Sequence, residues 1–429
     1  MANLEIAFAL ARLDTLNLEF DIELVRYALA VEEEENNRRK ARRRKWWMKP
    51  WLTRRTYLGQ YTRLMEELRA EDIPSYTNYM RLPPELVDEV LQRIEHRIEK
   101  KTTFWRKPLS PGLRFAITLR YLASGDSYKS LQYDFRVANN TIVGIIPQVC
   151  DAIIAEFMDE CIVCPSTPHE WLRVEETFRL KWHVPHALGA IDGKHVAIKC
   201  PAKTGTRYYN YKGFYSIIML ALVDADYKYL WLDVGANGGC SDAQIFNSSD
   251  LKTILEDGSI AFPAPVAIPE EEFVLPYYLL GDEAFALRTW LMKPYSRRNM
   301  DHGQRICNYR ISRGRRIVEN VFGITAQKFQ CLHSTMRQHP DIVTKIVLTC
   351  CILHNLHRMR YRKENLQIDQ EDADHNVIPG AWRQHGNLQD VPQPGGPRNT
   401  GSREAKAQRL YLTNYFLNRG AVPWQERMI

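Results

Sequence analysis

Several features are scarce in this 429-residue chain, and each absence excludes something. No run reaches the roughly 18–20 consecutive apolar residues that cross a bilayer, so no membrane span and no membrane partner is expected. No Walker loop or dinucleotide fingerprint occurs, which removes ATP and nicotinamide cofactors from consideration. Cysteine is sparse: nine residues, an odd number, scattered along the chain. Cys161 and Cys164 form a C-x-x-C pair, yet no second pair follows at zinc-finger spacing. Cys351 and His354 lie one turn apart in an apolar segment and read as core. Glu5, Asp14, Glu19 and Asp21 interrupt the first apolar stretch, so a secretory leader is not expected and a reducing compartment fits.

What is present begins with charge. The net charge is +7, and its placement matters more than its size. Four glutamates at 32–35 precede "RRKARRRKWWMKPWLTRR" at 38–55, which holds ten Lys and Arg residues and no acid. Trp46, Trp47 and Trp51 interleave with the cations. Such a block attracts a polyanion and offers rings for stacking, or serves as a nuclear-import signal; the plain alternative is a solvated basic helix.

Helical patterns fill the first half. Residues 1–31 and 84–99 are amphipathic, the second behind Pro83 and Pro84. Ser110 as cap, Pro111 at the first position and Gly125 past the end delimit another helix. Residues 127–153 predict a short helix over 127–135, a turn, and a second helix from about Asn140. That is a helix-turn-helix layout able to dock in a DNA groove, or an ordinary helical bundle; Gly144 and Pro147 argue against regular helix in the second member.

From about 186 the pattern changes to strands at 187–199, 214–224 and 227–234, the last two joined by the Asp224-Ala225-Asp226 turn. A helix is expected over 241–257 with Ser241 as cap, a strand within 277–285, and helices over 312–332 and 341–358. Residues 359–401 read as a flexible linker and 402–418 as a final helix that docks back. Helices, then strands, then helices give an α/β protein with a helical N-terminal part. The expected division is 1–83, a basic helical region; 84–185, the helical part with the helix-turn-helix-like element; 186–358, the strand-rich domain; 359–401, linker; and 402–429, a helical tail.

Four acids stand in unusual places. Asp192 interrupts the apolar "LGAIDGKHVAIKC", Asp242 follows "GANGGCS", Asp282 ends "YYLLG", and Glu319 lies in "RRIVEN". Each has an ordinary explanation: an Asp-Gly hairpin turn, a helix start, a helix cap near Glu283, or a pair with Arg315 or Arg316. Together they can converge at one edge of a sheet, where carboxylates repel unless cations lie between them. Oxygen ligands suit Mg²⁺ or Mn²⁺, and two such ions promote phosphodiester hydrolysis.

The segments "GAIDGKHVAIKCPAKTGTRYYNYKGFYSIIMLALVDADYKYLWLDVGANGGCSDAQIF", "LPYYLLGDEAFALRTWLMKPY" and "NYRISRGRRIVENVFGITAQKF" resemble the three blocks of PIF/Harbinger transposases and their domesticated nuclease-like relatives in animals and plants. The resemblance covers about 186–356, with a weaker extension back to about 108. It implies an RNase H-like fold with a mixed sheet and a catalytic triad of Asp192, Asp282 and Glu319 binding a divalent metal, Mg²⁺ or Mn²⁺. Asp242 matches a further acid and is expected as an auxiliary metal ligand. The implied activity is a DDE-type DNA endonuclease or transposase acting on transposon ends or a genomic target, in the nucleus with cytoplasm as a second compartment. A Myb-like DNA-binding partner and a homodimer are also implied. The alternative is a domesticated DNA- or chromatin-binding protein that no longer cuts. Lys194, His195, Tyr208, Tyr209, Lys212, Arg313, Arg315 and Arg316 are candidate phosphate or base contacts. Cys240, Gly314, Thr325 and Lys328 are unusual choices beside the motifs.

Overall fold

The computed structural model describes residues 48–104, 107–268, 271–361 and 401–429, with isolated positions between 22 and 34 and between 369 and 380. Most of the expected 1–31 helix, the cationic run 38–47 and most of the 359–401 linker lie outside the described residues. The chain divides into a unit ending at Thr56 and one compact unit from Tyr57 to Ile429. All that follows concerns the second.

Helices lead, as the pattern requires. α1 (Leu64–Glu71) and α2 (Ile73–Met80) precede α3 (Pro84–Ile98), whose Leu86, Val87, Val90, Ile94 and Ile98 are buried at helical spacing. α4 (Pro111–Ser124) has the predicted ends: Ser110 accepts from the Leu113 amide and Gly125 is left-handed at φ 69°. α5 (Tyr128–Phe135) ends on left-handed Arg136, and α6 spans Asn139–Cys161. α6 is continuous through Gly144 and Pro147, contrary to expectation. Proline deprives it of one backbone bond, but Ile142, Ile145, Ile146, Val149, Ile153 and Phe157 are buried on both sides of the defect, so packing overrides propensity. This 23-residue helix is also apolar enough by composition to cross a membrane, which corrects the expectation of no such run. Its apolar face is used within the fold, packed on α3, α4 and a later helix, α11 (Pro340–Arg360).

α7 (Pro168–Thr177), opened by a Thr167–Glu170 capping box, leads into the sheet. β1 (Ala187–Ala197), β2 (Ser216–Val223) and β3 (Tyr229–Asn237) form an antiparallel meander. The β2–β3 turn is built as predicted: the Asp224 carboxylate accepts from the amides of Asp226 and Lys228. After α8 (Asp242–Asn247) and α9 (Asp250–Glu256), which break the single expected helix at Ser248–Ser249, comes the small hairpin of β4 (Val266–Ala267) and β5 (Val274–Leu275). Then β6 (Tyr278–Leu280) joins β1 in parallel and β7 (Leu291–Met292) joins β6 in parallel. The order β3-β2-β1-β6-β7 is a mixed five-stranded sheet, consistent with an RNase H-like fold. β1, β2 and β6 are buried through most of their length, as central strands with both faces covered should be.

α10 runs from His302 to Lys328, ten residues earlier than the sequence suggests. Its start is fixed by an Asp301–Gln304 capping box, and its polar first turns pack on α12 (Arg403–Leu417), where Arg310 covers the Phe416 ring. The last helix therefore docks back, as expected. A short pair, β8 (Gln370–Glu371) and β9 (Val377–Ile378), also reaches α10 through Glu371.

Candidate carboxylate site

β1 places Asp192 in the middle of an antiparallel pairing, opposite Ala221, so the Asp-Gly hairpin reading fails. The last parallel pair between β1 and β6 is Ala190 with Leu280. Asp192 and Asp282 each lie two residues beyond it, which sets the two acids level on neighbouring parallel strands. Asp282 heads no helix: its carboxylate accepts from the Ala284 amide and the chain continues in turns.

Glycines let the other elements close in. A Cβ at Gly193 would lie 2.2 Å from an Asp242 carboxylate oxygen, so the residue after Asp192 must be glycine for the first turn of α8 to deliver Asp242 there. A Cβ at Gly314 would lie 2.6 Å from Leu280, so α10 reaches β6 only through a glycine. This explains one of the unusual choices in the sequence. Thr325 explains another: its hydroxyl meets the buried Tyr229 hydroxyl at 3.0 Å.

With α10 seated, Arg315 faces the acids. Its Nη1 donates to Asp192 Oδ2 at 3.0 Å and its Nη2 donates to Glu319 one turn on. Asp192 is almost fully buried. Burial pushes its carboxyl well above the usual carboxylate range; Arg315 opposes this, and the charges of Asp282, Asp242 and Glu319 add to it. Asp282 is raised as well, chiefly by burial, against the pull of Arg315, the amides of Ala284 and Phe285, and Lys293. The other three predicted acids therefore all act electrostatically on Asp192.

Sequence reasoning missed Lys293. It follows β7, and its ammonium donates to the carbonyls of Glu283 and Phe285, tying down the loop after Asp282. Burial lowers its pKa, as does Arg409, while Asp282 and Glu283 raise it. The register was the available clue: Met292 pairs with Leu280, so the next residue falls beside Gly281.

The candidate DNA contacts separate into two sets. His195 is held by Ser216 at 2.9 Å and packs edge-on to Tyr211, while Tyr209 and Tyr211 are exposed. Arg313 is buried and bonded to Glu371 through two donors, and Arg316 approaches the same carboxylate at 3.5 Å. His354 is core, as expected, with its ring nitrogen on the Tyr227 carbonyl and its pKa pushed down to about 3 by burial. All nine cysteines are free thiols.

The donor chemistry fits a hard divalent cation: the predicted ligands are four carboxylates, and burial disfavours the charge of Asp192 and Asp282. Among the described residues, no three His, Cys, Asp or Glu side chains stand close enough together to hold a metal ion as they are. The Arg315 guanidinium bonds two of the acids instead.

A mixed sheet with one acid on β1, a second just past the end of β6 and a third on a helix defines an α/β protein with an acidic cluster at its sheet edge. Residues 191–355 match the DDE superfamily endonuclease family. All four acids fall inside the matched span. The chain is 24% identical over 308 residues to the nuclease-named HARBI1 protein of Xenopus laevis, covering 70% of this chain and 82% of that one. It is 24% identical over 285 residues to an ALP1-like protein of Arabidopsis thaliana, covering 62% and 69%. A further Arabidopsis thaliana relative, named as an antagonist of Like Heterochromatin Protein 1, is 24% identical over 253 residues, covering 58% and 62%. No solved structure matches.

Proposed function

We propose that this protein is a divalent-metal-dependent DNA endonuclease or transposase whose catalytic acids are Asp192, Asp282 and Glu319, with Asp242 as an auxiliary ligand. The observation that carries the reading is that buried Asp192 feels the charges of Asp282, Asp242 and Glu319, with one guanidinium bonded to both Asp192 and Glu319. Asp192 and Asp282 would hold Mg²⁺ or Mn²⁺ from the sheet, Glu319 from α10 and Asp242 from α8. Bound there, such ions supply an activated water or 3′-hydroxyl and stabilise the leaving oxygen of a phosphodiester. The chain's own part is rigid placement: β1 and β6 set the two aspartates, the Ala284 amide orients Asp282, and Lys293 fixes the loop behind it. Lys194 on β1, with Lys212 and the exposed Tyr209 and Tyr211 in the segment after it, would contact the DNA backbone and bases.

The 38–55 block would add charge for DNA or a nuclear address, and α5 with α6 would dock on the duplex. The first turns of α6 carry no Lys or Arg, so that docking needs its cations from Lys129 and Arg136 or from a Myb-like partner. The name of the heterochromatin-antagonist relative favours a second reading, a chromatin-binding protein that no longer cuts.

A cleavage assay on DNA carrying candidate terminal repeats decides between them. The nuclease reading requires cutting with Mg²⁺ or Mn²⁺, none with chelator, and a loss of about a thousandfold or more in Asp192→Asn. DNA binding without cleavage, unchanged in Asp282→Asn, selects the second reading.

A further inference from the structure

We propose that Arg315 is the resident cation of the acidic site: it holds Asp192 and Glu319 in place and must release them before a divalent ion can bind. The inference rests on the reading of these acids as metal ligands. Its basis is which atoms are engaged. Arg315 donates to one oxygen of Asp192 and one of Glu319, two of the three proposed triad members, from a position one turn before Glu319 on the same helix. Its charge also acts on Asp282. A guanidinium stays protonated throughout the working pH range, so it can leave only by rotating away, never by losing its charge. Its side chain keeps a partial opening to solvent, while Asp192 has almost none.

Two effects compete. Arg315 pre-orients the carboxylates, which would favour a metal, and it bonds the same oxygens a metal would take, which opposes one. Competition is the stronger effect in this proposal, because the guanidinium occupies one oxygen of Asp192 and one of Glu319, and among the described residues no three such side chains form a group that could hold an ion. Arg315 is thus a positioning residue that sets the metal concentration at which the site loads.

The test is Mn²⁺ binding to the full chain, by calorimetry and by electron paramagnetic resonance, in wild type, Arg315→Met, Arg315→Lys and Asp192→Asn. Thermal unfolding with and without Mn²⁺ accompanies it. Arg315→Met should bind Mn²⁺ about tenfold or more tighter, melt lower than wild type without metal, and gain more from Mn²⁺. Arg315→Lys, which can serve only one carboxylate at a time, should fall between, and it carries the test if Arg315→Met does not fold. Equal or weaker Mn²⁺ binding in Arg315→Met, or in Arg315→Lys where that variant stands in, overturns the proposal while leaving the metal reading intact. Binding to no protein, or binding indifferent to Asp192→Asn, overturns the metal reading and the proposal with it.

Discussion

Arg313 and Arg315 sit two positions apart on α10, and they bond the half-buried Glu371 and the buried Asp192 respectively. Their partners respond in opposite directions. Glu371 meets Arg313 through two donors at 2.7 and 2.8 Å, with Arg316 and His375 also at its oxygens. Burial alone would raise its carboxyl, but the Arg313 bonds and charge bring it below the usual range. Asp192 meets one donor of Arg315 and three further acids, and it is held well above that range. Arginine is in excess around Glu371, and carboxylate is in excess around Arg315. The first group is a closed structural clasp; the second is an electrostatically incomplete site of the kind that functional centres require.

The comparison is broken most forcefully at Arg313. Its guanidinium also donates to the Trp182 carbonyl and lies over the Trp182 and Trp424 rings. Arg313→Met removes a buried guanidinium with its bonds to Glu371 and the Trp182 carbonyl, leaving Glu371 only Arg316 and His375, and should cost about 3–5 kcal/mol in denaturant unfolding. A loss below 1 kcal/mol would mean that the clasp is not closed.

Arg315→Met should cost less, about 1.5–3 kcal/mol without metal, as for a charged hydrogen bond removed. Asp192 can take up a proton, an escape that lies along the direction its environment already favours. A cost equal to that of Arg313→Met would erase the distinction between the two arginines.

The crowding of acids can be tested without touching a charge. Gly193→Ala drives a methyl into the Asp242 carboxylate, and the overpacking should cost about 1–3 kcal/mol. Cleavage should fall as well, because Asp242 must move. Normal stability and activity in Gly193→Ala would show that Asp242 has no fixed place.

Much of this contrast was legible in the sequence, and its limits are physical. Each acid had an ordinary explanation when taken singly, and it was the resemblance of three segments that gathered them into one set; β1, β2 and β6 were found from their apolar runs. The clasp was invisible: Glu371 is 58 residues from Arg313, and no local pattern encodes a pairing across that distance. The Asp192–Arg315 bond spans 123 residues and was equally hidden, although Arg315 and Glu319 share a face by helical spacing. Arg313 was grouped with the DNA contacts because a run of arginines looks alike until burial separates its members. Pro147 was misread because tertiary packing outweighs helix propensity, and the start of α10 because the Asp301–Gln304 capping box went unread.

The finest test of the comparison is pH. A carboxyl held below its unfolded value contributes stability that is present above about pH 4.3, the ordinary glutamate value, and lost as pH falls toward the folded pKa. Glu371 is such a group, so it should add to acid lability. The groups facing it are Arg313, Arg316 and His375, and guanidinium groups keep their charge across this range. Glu371→Gln should therefore lower stability at neutral pH and flatten the decline between about pH 5 and 3, measured by thermal unfolding across that range. Asp192, shifted upward, contributes with the opposite sign: below its unfolded pKa it carries no penalty, and stability falls as pH rises toward its folded pKa. If Glu371→Gln leaves the acid limb as steep as in wild type, the clasp does not differ from the site in the way its geometry requires.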